Sequence, residues 1–126
     1  MRTTTYLLLL TILITFQSCF EIIEQVFLKA DGSGDFQLVL NMSKSKTRLN
    51  SIIKMKNING HDVPSKEEIK SKIADIEKTL GKTAGISNVR STADFDNFII
   101  SISCNFNKVT QINNGVKNIY LKENPK

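Results

Sequence analysis

Two periods of apolar residues alternate along this chain. Residues 20–29 (FEIIEQVFLK) place Phe20, Ile22, Val26 and Leu28 at every second position, with Glu24 as the one polar exception. Residues 36–42 (FQLVLNM) repeat that period with Phe36, Leu38, Leu40 and Met42. Between them stands Asp31-Gly32-Ser33-Gly34-Asp35, where glycine admits positive φ and Asp bonds the local backbone. The pattern predicts a β-hairpin. Residues 43–56 then shift to helical spacing, with Leu49, Ile52 and Ile53 inward, and 57–64 (NINGHDVP) reads as a loop. Ser65 and Glu68 have the spacing of a capping box, ahead of Ile69, Ile73, Ile76 and Leu80 at 4, 3, 4 intervals, with Gly81 as the stop. A weaker strand spans 86–92, a turn 93–97, and a well-alternating strand 98–106. In that strand Phe98, Ile100, Ile102, Cys104 and Phe106 face one way, and Ser101, Ser103 and Asn105 the other, so one face is wet. Val109, Ile112, Val116, Ile119 and Tyr120 mark a final helix.

The order ββααββα predicts an α+β two-layer sandwich, an antiparallel four-stranded sheet with helices on one face. The chain stops just after a helix, where another strand would be natural. A compact domain and a truncated member of a longer family both fit that reading.

Composition sharpens the picture. The 126 residues are 40% apolar and 23% charged, enough for one domain and too apolar for a disordered chain. Two Cys exclude a disulfide-dense scaffold or a four-Cys zinc site, and one His excludes any site needing several. No cofactor or metal is expected.

The N-terminus carries an address. Arg2 and three Thr precede the apolar run Tyr6 to Phe16 (YLLLLTILITF), then Gln17, Ser18 and Cys19. The run is 11 residues long, too short for a hydrocarbon core that needs about 20 helical residues. It has the length of a signal-peptide apolar region. Ordinary cleavage after Ser18 would leave bulky Phe16 at the third-last position. With Phe16-Gln17-Ser18-Cys19, the segment resembles a bacterial lipoprotein signal, in which the Cys thiol is lipidated and the chain is cut before it. The usual box has Leu where Phe16 stands and a small residue where Gln17 stands. Loose boxes ending in Ser-Cys are common in the lipoproteins of the Bacteroidota, which this segment resembles.

The resemblance implies a signal peptide over 1–18, a single domain over 19–126, and acyl chains on Cys19 as the anchor. Three chains, at about 0.8 kcal/mol per buried CH₂, would hold permanently. Phe20 follows Cys19, where an inner-membrane retention signal of some enteric bacteria has Asp, so the outer membrane is the expected location. No Gly/Ser tether follows the Cys, so the domain is expected close to the bilayer.

Charge is uneven. Residues 43–82 hold ten basic and five acidic side chains, and 20–42 hold one basic and four acidic. Lys44, Lys46, Arg48, Lys54 and Lys56 form a run without an acid, a candidate contact with anionic lipid head groups worth about 1 kcal/mol per cation. A solvated helix face is the preferred reading. No aromatic residues interleave the cations, and a nucleic-acid partner is not expected.

Other candidates have bland readings. Asp31 to Asp35 resembles the start of a calcium loop, but the sixth and twelfth positions are Phe36 and Met42, so a hairpin turn is preferred. Cys104 with His61 could form a nucleophile and base, yet Cys104 falls on an apolar strand face, where Cys packs as a small hydrophobe. An unlipidated Cys19 would be a disulfide candidate with Cys104. Asp94 and Asp96 lie in a turn. Glu24 on its apolar strand face needs a partner if buried, or marks a sheet edge. The chain lacks G-x-S-x-G, H-E-x-x-H and a phosphate-cradling loop. The expected function is therefore a non-enzymatic envelope lipoprotein that binds another envelope component. The alternative is a carrier of an apolar ligand between sheet and helices.

Overall fold

The computed structural model describes residues 20–125. The elements run β1 (Glu21–Leu28), β2 (Gly34–Asn41), a 3₁₀ turn (Ser43–Ser45), α1 (Lys46–Ile53), β3 (Asn57–Ile58), β4 (His61–Asp62), α2 (Lys66–Gly81), β5 (Ile86–Asp94), β6 (Ile99–Phe106) and α3 (Val109–Glu123). The main sheet is antiparallel throughout, in the order β1-β2-β6-β5. The α+β fold and the element order match the expectation from the sequence.

Pairing places Phe36 opposite Cys104, Leu38 opposite Ile102 and Leu40 opposite Ile100. These side chains share the face that the helices cover. Phe36, Leu80, Ile86, Cys104 and Phe106 form the buried core, with Val89, Ile112 and Ile119 packed against it. Each such large side chain contributes about 1.5–3 kcal/mol when buried. The opposite face carries Gln37, Ser103 and Arg90 in one row across β2, β6 and β5, and remains wet.

The capping box forms as the spacing predicts. Glu68 N donates to Ser65 Oγ at 3.2 Å, and Ser65 N donates to Glu68 Oε2 at 2.7 Å. The helix ends at Gly81, as the sequence predicts, although Gly81 is not one of the glycines with positive φ. The turn that follows is closed by Thr83 N donating to Leu80 O at 2.9 Å. The positive φ falls four residues later, at Gly85 (φ 79°).

Four expectations need correction. The helix over 43–56 is a 3₁₀ turn and then the eight residues of α1. Ser43 N bonds Asn41 Oδ1 at 3.0 Å, so Asn41 organises the first turn before the α-helix starts. The loop over 57–64 contains a two-stranded ribbon, β3 and β4. Asn59 (φ 52°) and Gly60 (φ 84°) supply the two positive φ values of a tight hairpin turn.

The weak strand over 86–92 extends to Asp94, and its alternation is blurred by a bulge between Ser87 and Arg90 that holds Asn88 at φ 51°. Finally, α3 does not bury Val116 and Tyr120, which are 57% and 65% exposed. Its packed stripe is Ile112, Gly115 and Ile119, because glycine there lets α3 approach α2 closely.

The N-terminal hairpin closes through Asp31, whose carboxylate accepts Ser33 N at 3.0 Å and Ser33 Oγ at 2.7 Å. The turn reading of this segment thus holds. Among the described residues no helix lies over β1, and Ile22, Val26 and Leu28 are all exposed. Glu24 is exposed as well, so it needs no buried partner and sits at the sheet edge.

Candidate functional site

An apolar pocket lies beneath α1, at the end of the sheet where β5 turns into β6. The inward positions of α1, Leu49, Ile52 and Ile53, form its roof. Val63, Pro64 and Ile69 close one side, and Phe95, Phe98 and Ile100 the other. The volume is about 210 Å³. An apolar cavity of about 150 Å³ takes a benzene ring, so this one fits an aromatic ring or a short branched or acyl segment.

The local sequence explains how the walls form. Asp94 accepts Asp96 N and Asn97 N, each at 2.9 Å, and Asn97 Nδ2 at 2.8 Å. These bonds hold the 95–98 turn and keep the Asp94 carboxyl below the usual range, first through Asn97, then Asp96, with Lys46 adding a favourable charge. Phe98 sits at φ 55°, a costly place for a bulky residue. Phe98 is buried, with 4% of the residue exposed, and Met42 N donates to its carbonyl at 2.9 Å. Burial and that bond hold the strained turn in place.

Two lysines stand over one wall of the pocket. Lys66 and Lys70 of α2 stand 5.8 Å and 5.5 Å from the centre of the Phe95 ring, on a wall of the cavity. Each such contact is worth about 0.5–1 kcal/mol at an exposed site. The site therefore joins carbon walls to two lysines over the Phe95 ring, with Asp94 as the acid among its lining residues.

The structure divides the basic run. Lys44 pairs with Glu21 of β1. Lys46 lies within electrostatic reach of Asp94. Arg48, Lys54 and Lys56 are exposed, with no ion-pair partner among the described residues. The five cations thus do not act as one patch, and three remain open to an anionic surface. Cys19 lies outside the described residues.

Comparison with protein-family models, curated proteins and solved structures gives no match.

Cys104 lies in the hydrophobic core and is 4% exposed. Burial raises its thiol pKa, the opposite of what a nucleophile needs. His61 lies exposed in β4, in the ribbon outside the main sheet. Cys104 forms no disulfide with another described residue. Among the described residues no cluster of His, Cys, Asp and Glu could hold a metal ion, and no helix is long and apolar enough to cross a membrane.

The wet face expected from the sequence carries a groove that the sequence does not reveal. There Asn88 Nδ2 donates to Asn105 Oδ1 at 2.7 Å, and Asn105 Nδ2 donates to Asp35. The groove they line, with Phe27 at one end, has a volume of about 500 Å³. The alternation of Ser101, Ser103 and Asn105 signals a polar face. It does not signal the β5 bulge that aims Asn88 across it.

Proposed function

We propose that this chain is a non-enzymatic lipoprotein of the bacterial cell envelope, anchored through acyl chains on Cys19 and acting as a binding module at the membrane surface. The observation that carries this reading is the apolar run 6–16 ending at Phe16-Gln17-Ser18-Cys19. The closeness of β1, which starts at Glu21, supports it: one residue, Phe20, separates anchor from sheet. The outer membrane is the proposed location, with Arg48, Lys54 and Lys56 as the cations left for anionic head groups.

Fractionation tests this reading. The wild-type chain is expected in the membrane fraction, resisting extraction by high salt and released by detergent. Cys19→Ala should move to the soluble periplasmic or culture fraction. A wild-type chain found only in the soluble fraction would refute the anchor.

The cavity beneath α1 favours a second reading, a carrier of an apolar group. Its carbon walls, with Lys66 and Lys70 over the Phe95 ring, suit a small amphiphile with an acidic head. Native mass spectrometry of the purified chain would then show a bound species, lost in Ile52→Phe, which fills the space. A ligand-free chain that also fails to take up added octanoate would exclude the carrier.

A further inference from the structure

The two edges of the main sheet are treated differently. On β5, the bulge at Asn88, the exposed Arg90 and the exposed Asp94 are the devices that keep an edge from pairing with another strand. On β1 there is no proline, no lysine and no bulge over eight residues. Ile22, Ile23, Val26, Phe27 and Leu28 are 41–64% exposed, on both faces of the strand. Among the described residues no strand pairs with its outer edge.

Hydrogen-bond phase shows which groups face outward. Lys29 N donates to Ser33 O at 2.8 Å, so Lys29 points into the hairpin. Antiparallel alternation then turns Phe27, Gln25 and Ile23 toward β2, and directs the N–H and C=O of Leu28, Val26, Glu24 and Ile22 outward.

We propose that β1 pairs antiparallel with β1 of a second copy of this chain, in a twofold dimer centred on Gln25, to give a continuous eight-stranded sheet. A twofold axis normal to the sheet keeps each face on its own side. In the register centred on Gln25, Ile22 meets Leu28 of the other copy on the helix-side face, and Ile23 meets Phe27 on the wet face. Glu21, whose carboxylate already pairs with Lys44 of its own chain and would be shared between the two cations, stands opposite Lys29 across the axis, at both ends of the pairing. That charge match selects the occupant: no other twofold register brings Glu21 opposite Lys29. The register centred on Glu24 would set two carboxylates face to face and oppose Glu21 to Phe27, which like-charge repulsion disfavours. The twofold also sets both N-termini at one height, as anchoring in a single bilayer requires. The dimer itself does not depend on the lipid.

Sedimentation of the full chain as cells make it, purified in detergent, tests the proposal. A dimer is expected well below about 100 µM chain. Val26→Pro removes only an outward N–H, and is expected to raise the dimer dissociation constant about tenfold or more. Gln25→Cys supplies a readout that does not depend on loss. Facing residues of a non-hydrogen-bonded pair have Cα atoms about 4.5 Å apart, within disulfide range. An added disulfide oxidant should therefore join Gln25→Cys chains into a covalent dimer and leave Gln37→Cys, on β2, unjoined. A wild-type chain that stays monomeric, or that is held to vesicles by β1 as a monomer, would overturn the proposal. So would equal cross-linking of Gln25→Cys and Gln37→Cys.

Discussion

Gly115 of α3 lies so close to Leu80 of α2 that a Cβ at position 115 would stand 2.7 Å from Leu80 Cδ2 and 3.0 Å from Ile86 Cδ1. The two helices and β5 meet at this point. A larger side chain must push α3 off the core. Gly115→Val is expected to destabilise the fold by about 1–3 kcal/mol, the usual cost of overpacking. Urea denaturation checks this. Unchanged stability would show that α3 docks loosely.

The capping box gives α2 an acid-sensitive start. The Glu68 carboxyl sits below its ordinary value near 4.5 because the Ser65 backbone N–H, and then its hydroxyl, bond the charged form. A carboxyl lowered on folding adds stability that is complete above the ordinary value and is lost as pH falls through the lowered one. Wild type should therefore lose stability below about pH 4.5 more steeply than Glu68→Gln. Ser65→Ala should cost about 0.5–2 kcal/mol at neutral pH. Thermal melts across the acid range of pH check both.

Cys104 should behave as core. A thiol reagent at pH 8 is expected to leave it unmodified in the native chain and to modify it fully in denaturant. Cys104→Ser places a hydroxyl among Phe36, Leu80, Ile86 and Phe106, at a cost of about 1–3 kcal/mol. Rapid native labelling would contradict the packing described.

Gly34 carries a third packing constraint. A Cβ there would fall 2.1 Å from the carbonyl oxygen of Phe27 and 2.7 Å from Phe106 Cζ. Backbone cannot give way as a side-chain tip can. Gly34→Ala is expected to destabilise more than Gly115→Ala, whose clash is with side-chain ends, and paired urea titrations compare them.

The strands and helices were legible in the sequence because they rest on local signals. Period-2 runs mark β2 and β6, and Ser65 with Glu68 marks α2. What escaped depends on contact between distant segments. Gly115 reads as a gap in an apolar stripe until Leu80 and Ile86 are seen against it, so Val116 and Tyr120 look like the buried face. The apolar phase of β1 is clear, yet nothing local says that α1, α2 and α3 will leave it uncovered. Asn59-Gly60 is a hairpin signal whose flanking strands are only two residues each, too short for a period to show. The cavity follows the same rule. Leu49, Ile52 and Ile53 read as inward, whereas the space beneath them depends on how Phe98 is held in a turn far along the chain.

The most direct test of the account is the intact mass of the mature chain recovered from membranes, beside Cys19→Ala. The account predicts a chain that begins at Cys19 and carries the added mass of its acyl groups, which the variant lacks. A chain that retains residues 1–18, or that begins at Cys19 with no added mass, would contradict it.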